Sequence, residues 1–186
     1  MKSCFIALVT LVFLLQARSA FLFSYRDEPL SHLTTRVDSG IWKGCYTTPE
    51  RAEAVIGLEE YIREETDKND RVFFLDWASF GYLMNEGTAC SSQTLDPCGY
   101  SYKCDYPRII YDYYKQTSSV PNIIFYVDFA RDENLSIEDE SWSFNEFAEL
   151  FYNRSGTFEN EVFRVLKYSL TDEAGAYAFA LEKALP

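Results

Sequence analysis

Two short apolar runs constrain the fold more than any other feature of this chain. Residues 71–76 (RVFFLD) and 123–128 (IIFYVD) are almost continuously apolar, and each run is shorter than a typical helix. Runs of this kind predict strands that are buried on both faces. A sheet that buries both faces must be covered by helices on both sides, so we expect an α/β domain.

Helical patterns alternate with these strands. Residues 47–50 (TTPE) predict the start of a helix, with a threonine as the cap, proline at the first helical position and glutamate at the positive end. Further along the chain, the patterns predict a helical turn at residues 78–84 and helices at 108–116 and 142–152. A third strand is predicted at 161–170, and Thr171 is expected to cap a final helix. This alternation favours a small, mainly parallel sheet of three to four strands with covering helices.

The N-terminus has the pattern of a secretory signal. Residues 5–15 (FIALVTLVFLL) are apolar, follow Lys2, and are shorter than the roughly 20 residues that a membrane-crossing helix needs. Small residues at Ala17 and Ser19 predict cleavage after Ser19. An uncleaved anchor is the alternative, because residues 21–23 are apolar as well.

Cleavage would leave residues 20–186 as a single extracytoplasmic domain, with residues 1–19 as the signal peptide. We therefore expect the protein to be secreted or to lie on the extracytoplasmic face of a membrane. The chain has 29 Asp and Glu against 17 Lys and Arg, and its formal net charge is −12. Such a surface repels nucleic acids and anionic lipid headgroups, which argues against nucleic-acid binding.

Four cysteines remain beyond the signal segment: Cys45, Cys90, Cys98 and Cys104. An even number in an exported chain predicts disulfides, and three pairings are possible. If Cys98 pairs with Cys104, the short segment between them becomes a disulfide-tied loop. Cys45 would then pair with Cys90. A four-cysteine zinc site is the alternative, but the sequence lacks a C-x₂-C pair, and we predict neither a metal nor a cofactor.

Two sequons are present, at Asn134 and Asn153. Both have the N-x-S pattern of glycosylation acceptors, which applies if the source is eukaryotic.

Aspartates follow both buried strands, at Asp76 and Asp128. Ligands of open parallel sheets bind beyond the carboxyl ends of strands, so neighbouring strands would bring both carboxylates into one crevice. There they could bind a metal or sugar hydroxyls, or act as an acid/base pair. The simpler alternative is that each aspartate caps the following turn.

Aromatic residues follow the first of these strands. Trp77 and Tyr82 can form a platform for a sugar ring, or they can belong to a buried helical face. The candidate ligand-binding residues are therefore Asp76, Trp77, Tyr82 and Asp128, and the two aspartates are the only catalytic candidates.

The familiar catalytic motifs are missing from the sequence. G-x-G-x-x-G, the P-loop, G-x-S-x-G and H-E-x-x-H do not occur, and His32 is the only histidine. Dinucleotide enzymes, serine hydrolases and zinc proteases all lose support.

Several short motifs resemble a known family. They are Tyr25-Arg26-Asp27, the stretch GIWKGCYTTPERA at residues 40–52, GYLM at residues 81–84, Tyr113-Tyr114, and VPNII at residues 120–124. Together they resemble the soluble extracytoplasmic domain that follows the last membrane helix in some bacterial polytopic glycosyltransferases. Those enzymes are related to the lipid-phosphate-sugar-dependent mannosyl and aminoarabinose transferases.

The resemblance covers most of residues 24–130. It implies an accessory domain without the membrane-embedded catalytic part, so no catalytic residue of the family can be assigned to this chain.

Three functions follow as hypotheses. The first is a non-catalytic exported domain that binds a glycan, a lipid-linked sugar or a membrane protein. The second is a small carbohydrate-active enzyme that uses Asp76 and Asp128. The third is a purely structural secreted or surface domain.

Overall fold

The computed structural model describes residues 2–22, 29–75, 79–91, 106–129 and 143–184. The chain divides into two compact units, Met1–Ile56 and Gly57–Pro186. Five residues of the predicted sites lie outside the described ranges: Asp76, Trp77, Cys98, Cys104 and Asn134.

The first unit begins with helix α1 (Lys2–Leu22). The large apolar side chains between Phe5 and Leu15 are exposed, with Phe5 at 68% and Phe13 at 69%. The helix therefore buries little of its apolar surface, unlike an amphipathic helix of a folded core. Among the helices in the described ranges, none is long and apolar enough to cross a membrane.

A small hairpin follows a single 3-10 turn at Leu30–His32. Its strands β1 (Thr35–Arg36) and β2 (Tyr46–Thr47) are antiparallel. The connecting segment contains Gly40 and Gly44 at φ angles of 72° and 95°, a conformation that glycine adopts without strain. The 3-10 turn and this hairpin are the regular parts of residues 29–47.

Helix α2 (Pro49–Glu64) begins where the sequence predicted it. The hydroxyl of Thr48 accepts a hydrogen bond from the amide of Arg51 at 3.3 Å, which confirms the threonine cap. In its C-terminal half, Leu58 and Ile62 are fully buried.

The second unit contains a five-stranded mixed sheet. Its strands are β3 (Arg71–Leu75), β4 (Thr88–Ala89), β5 (Ile123–Phe129), β6 (Tyr152–Glu159) and β7 (Phe163–Leu170). They lie in the order β4-β3-β5-β7-β6, with β3 parallel to β4 and β5, and β7 antiparallel to β5 and β6.

The prediction of a mainly parallel sheet of three to four strands is therefore wrong in both number and direction. Strand β6 was missed because it is an edge strand with mostly exposed or half-buried residues, and so lacks an apolar run. A tight turn then reverses the chain into β7. There the side-chain oxygen of Asn160 accepts hydrogen bonds from the amides of Val162 and Phe163, at 3.0 and 2.8 Å.

Four helices of the second unit accompany the sheet. They are α3 (Gly81–Met84), α4 (Tyr106–Thr117), α5 (Ser143–Phe151) and α6 (Glu173–Lys183). The cap of α6 is Asp172 rather than Thr171, since the Asp172 carboxylate accepts a hydrogen bond from the amide of Gly175 at 2.9 Å. The hydroxyl of Thr171 instead donates to the carbonyl of Phe151.

One continuous core fills the space between the sheet and helices α4, α5 and α6. Its central ring is Phe147, which lies within 5.5–6.1 Å of the rings of Tyr111, Tyr114 and Tyr152. On the sheet side, the core takes alternate residues of the strands: Phe73, Leu75, Ile124, Tyr126 and Leu166. Two small residues of α6, Ala176 and Ala180, are fully buried and let this helix approach closely.

Aromatic rings also cover the other face of the sheet. Phe74 stacks on Phe125 with centroids 5.2 Å apart, and Tyr61 of α2 stacks on Phe158 at 5.1 Å. A β-carbon at Gly156 would lie only 2.7 Å from the Tyr61 hydroxyl. This close approach explains a glycine at the irregularity of β6.

The side chain of Asn122 joins the central strands just before β5. Its oxygen accepts from the amide of Arg71 at 2.5 Å, and its nitrogen donates to the carboxylate of Asp70 at 2.6 Å. The carbonyl of Asn122 accepts from the amide of Leu170 at 3.0 Å. One residue thereby fixes the beginnings of β3 and β5 against the end of β7.

The predicted disulfides at Cys45 and Cys90 are not formed, because both residues are free thiols. Cys90 follows β4 and is 3% exposed within the core, whereas Cys45 is exposed on its hairpin. The prediction relied on an even cysteine count, which says nothing about where each side chain packs.

Candidate functional site

The strand ends that the sequence singled out are only partly described. Asp128 lies near the end of β5, is 8% exposed, and is the register partner of Arg164 on β7. Asp76 and Trp77 lie outside the described ranges, so convergence of the two aspartates stays a prediction.

The hydroxyl of Tyr82 has a role in the sheet. Strand β4 is so short that its last ladder bond to β3 runs from the amide of Cys90 to the carbonyl of Val72. The next amide of β3 on that side belongs to Phe74, and it donates to the Tyr82 hydroxyl at 3.1 Å. Tyr82 therefore completes the hydrogen bonding of the sheet where β4 ends.

A cleft of about 280 Å³ lies between the end of α4 and the start of α6. The residues that line this cleft are Ser118, Ser119, Val120, Glu173, Ala174 and Tyr177. Because Val120 precedes β5, the cleft lies near the amino end of that strand, whereas Asp128 lies near its carboxyl end.

The wall formed by α4 is fixed by a helix-ending motif. Ser118 has a φ angle of 52°, and the amide of Ser119 donates to the carbonyl of Tyr114 at 3.3 Å. This 6→1 hydrogen bond, with a left-handed residue just before its donor, is the Schellman motif. Glycine is the usual residue at the left-handed position. The strained backbone of Ser118 is therefore explained by helix termination.

An arginine side chain links the two walls of the cleft. Arg71 donates from Nε to the carbonyl of Val120 at 2.7 Å and from its terminal nitrogen to Glu173 at 2.6 Å. One cation and one carboxylate thus meet at the rim, and their charges offset each other. The Glu173 side chain is still 62% exposed, so part of the carboxylate faces solvent.

A buried thiol and two buried tyrosine hydroxyls lie in the core close to these residues. Burial raises the pKa of the Cys90 thiol to about 11, although its contact with Ser119 and the charge of Arg71 oppose the increase. Burial likewise raises the pKa of Tyr114 and of Tyr152. At neutral pH these groups are uncharged.

The cleft therefore offers hydrogen-bonding groups of several kinds. The Ser118 hydroxyl can donate or accept, and the Glu173 carboxylate can accept. The Ser119 hydroxyl already donates to the hydroxyl of Thr117 at 3.2 Å and can still accept, and Tyr177 adds a half-buried ring. Such a set suits the binding of a small polar molecule. In the described part of the chain, no three His, Cys, Asp or Glu side chains are arranged to hold a metal ion.

No sequence pattern predicted this cleft. Its residues come from two segments more than fifty positions apart, and neither carries a binding motif. The end of α4 and the start of α6 were both predicted, but their proximity depends on how the helices pack on the sheet.

Comparison of the chain with protein-family models, with curated proteins and with solved structures finds no match.

Proposed function

We propose that this protein is a non-catalytic exported domain that recognises a glycan or a partner outside the cytoplasm. The observation that carries the proposal is the cleft between α4 and α6, whose hydroxyls, carboxylate and ring are the groups that contact sugars in proteins. Its acidic residue is held in an ion pair with Arg71, which suits a binding role.

The N-terminal segment supports the export part of the proposal. Helix α1 is apolar and exposed over most of its length, which is what a signal or anchor segment requires. The expected cleavage after Ser19 and an extracytoplasmic location belong to this proposal.

The resemblance to glycosyltransferase accessory domains supports a sugar-related ligand. It extends the proposal to lipid-linked sugars and to a membrane transferase as partner. The sequon at Asn153 lies exposed on β6, which would make it accessible to a glycosylating enzyme.

A carbohydrate-active enzyme is the second candidate. The observation that favours it is the burial of Asp128 at the end of a central strand, opposite Arg164. Buried carboxylates at strand ends are frequent in active sites.

A binding and turnover screen with the purified protein separates these proposals. The probes are neutral glycans, polyprenyl-phosphate sugars and chromogenic glycosides. We expect saturable glycan binding without turnover, and we expect Asp128→Asn to retain that binding. Turnover that is lost in Asp128→Asn would favour the enzyme, and a folded protein that binds no glycan would contradict glycan recognition.

A further inference from the structure

Hydrogen bonds hold the backbone on both sides of the cleft in the absence of a ligand. On the α4 side, the amide of Ser119 is bonded to the carbonyl of Tyr114. On the α6 side, Asp172 caps the helix through the amide of Gly175. A site with fixed walls loses little conformational entropy on binding, so even a shallow cleft can bind a small ligand.

The charges at the cleft discriminate against anions. A free helix N-terminus attracts negative groups, but the first turn of α6 already carries Glu173 beside the capping Asp172. The guanidinium of Arg71 contacts both walls of the cleft, and it is bonded to Glu173 and to the carbonyl of Val120. A phosphate would meet the Glu173 carboxylate, whose partner Arg71 is already engaged, so a neutral ligand is favoured.

We infer that this cleft is the binding site for one neutral sugar residue, an inference that rests on the proposed function and names its ligand class. The ring of Tyr177 supplies the apolar contact for the sugar, and Glu173 with Ser118 and Ser119 hydrogen-bonds its hydroxyls. For a lipid-linked sugar, the cleft contacts the sugar and leaves the phosphate outside.

An NMR titration of the full-length protein tests this inference. The probes are methyl α-D-mannopyranoside, methyl α-D-glucopyranoside and glucose 6-phosphate. We expect at least one methyl glycoside to shift the amide signals of residues 118–120 and 173–177, and glucose 6-phosphate to bind more weakly than that glycoside.

Variants of the ring provide the decisive comparison. Tyr177→Ala is expected to weaken glycoside binding by about tenfold, whereas Tyr177→Phe keeps the ring and stays within about threefold of wild type. Leu181→Ala is the matched control, because Leu181 is an exposed residue of the same helix outside the cleft. Melting curves confirm that each variant is folded.

The carboxylate is tested separately. Glu173→Gln keeps the shape of the side chain, removes its charge, and is expected to reduce the preference for the neutral glycoside over glucose 6-phosphate. Unchanged binding in a folded Tyr177→Ala protein, or shifts confined to other residues, would overturn the inference and leave the proposed function standing. If no glycan of any kind binds, both fall.

Discussion

At the scale of single residues, two buried tyrosines of one core differ in how their hydroxyls are satisfied. The hydroxyl of Tyr152 donates to the carbonyl of Pro121 at 2.6 Å. The hydroxyl of Tyr114 is fully buried and has no hydrogen-bond partner among the residues that the structure describes. A buried polar group without a partner costs free energy, whereas a paired one contributes about 1 kcal/mol to stability.

The same substitution should therefore have opposite effects at these two positions. Tyr152→Phe leaves the carbonyl of Pro121 without its donor and is expected to lower the free energy of unfolding by about 1–3 kcal/mol. Tyr114→Phe removes an unpaired hydroxyl and should leave stability unchanged or raise it by about 1 kcal/mol. Urea unfolding of both variants measures the difference, and a destabilised Tyr114→Phe protein would show that its hydroxyl is satisfied.

At the scale of secondary-structure elements, the shortness of β4 determines how the edge of the sheet is completed. Only two residues of β4 pair with β3, and Tyr82 of α3 supplies the next acceptor for the β3 amide. The ring of Tyr82 also contacts Phe74 edge-on, with centroids 5.0 Å apart. A residue that the sequence offered as a ligand platform is thus also part of the sheet.

Removal of this acceptor should destabilise the edge. Tyr82→Phe keeps the ring contact with Phe74 but leaves the Phe74 amide unpaired, so we expect a loss of about 1–3 kcal/mol in the free energy of unfolding. Leu83→Ala is the control, because this neighbouring side chain is 69% exposed. Equal stability of Tyr82→Phe and wild type would mean that water replaces the hydroxyl at no cost.

At the scale of the whole molecule, a core rich in tyrosine, with a buried thiol, makes stability depend on pH in the alkaline range. Burial raises the pKa of Cys90 from 9.0 to about 11, and it raises the pKa values of Tyr111, Tyr114 and Tyr152 as well. A group with a raised folded-state pKa holds its proton more tightly in the native state. Its contribution to stability is complete below the unfolded pKa and is lost as pH rises toward the folded pKa.

For Cys90, this loss falls between about pH 9 and pH 11. Between pH 7.5 and pH 10, wild type should lose about 1 kcal/mol more unfolding free energy than Cys90→Ala, which keeps every titrating group except this thiol. Urea unfolding at the two pH values gives both differences. Parallel losses in the two proteins would show that the thiol titrates with an ordinary pKa.

Much of the local structure was predictable because it depends on neighbouring residues. The cap at Thr48, the start of α2 and the apolar runs of β3 and β5 are encoded within a few positions, and the structure confirms each of them. The same holds for the end of α4 and for α5. These features follow from capping, side-chain periodicity and continuous burial, which act over one or two turns of chain.

Residue patterns alone indicate an α/β chain with an apolar N-terminal segment, a net negative charge and the positions of most of its helices and strands. The tertiary structure alone decided the strand order, the antiparallel β6–β7 hairpin, the free thiols of Cys45 and Cys90, and the cleft between α4 and α6. The physical reason is distance along the chain. Arg71 meets Glu173, and Ser119 lies beside Cys90, only because the helices pack on a sheet whose order no local pattern encodes.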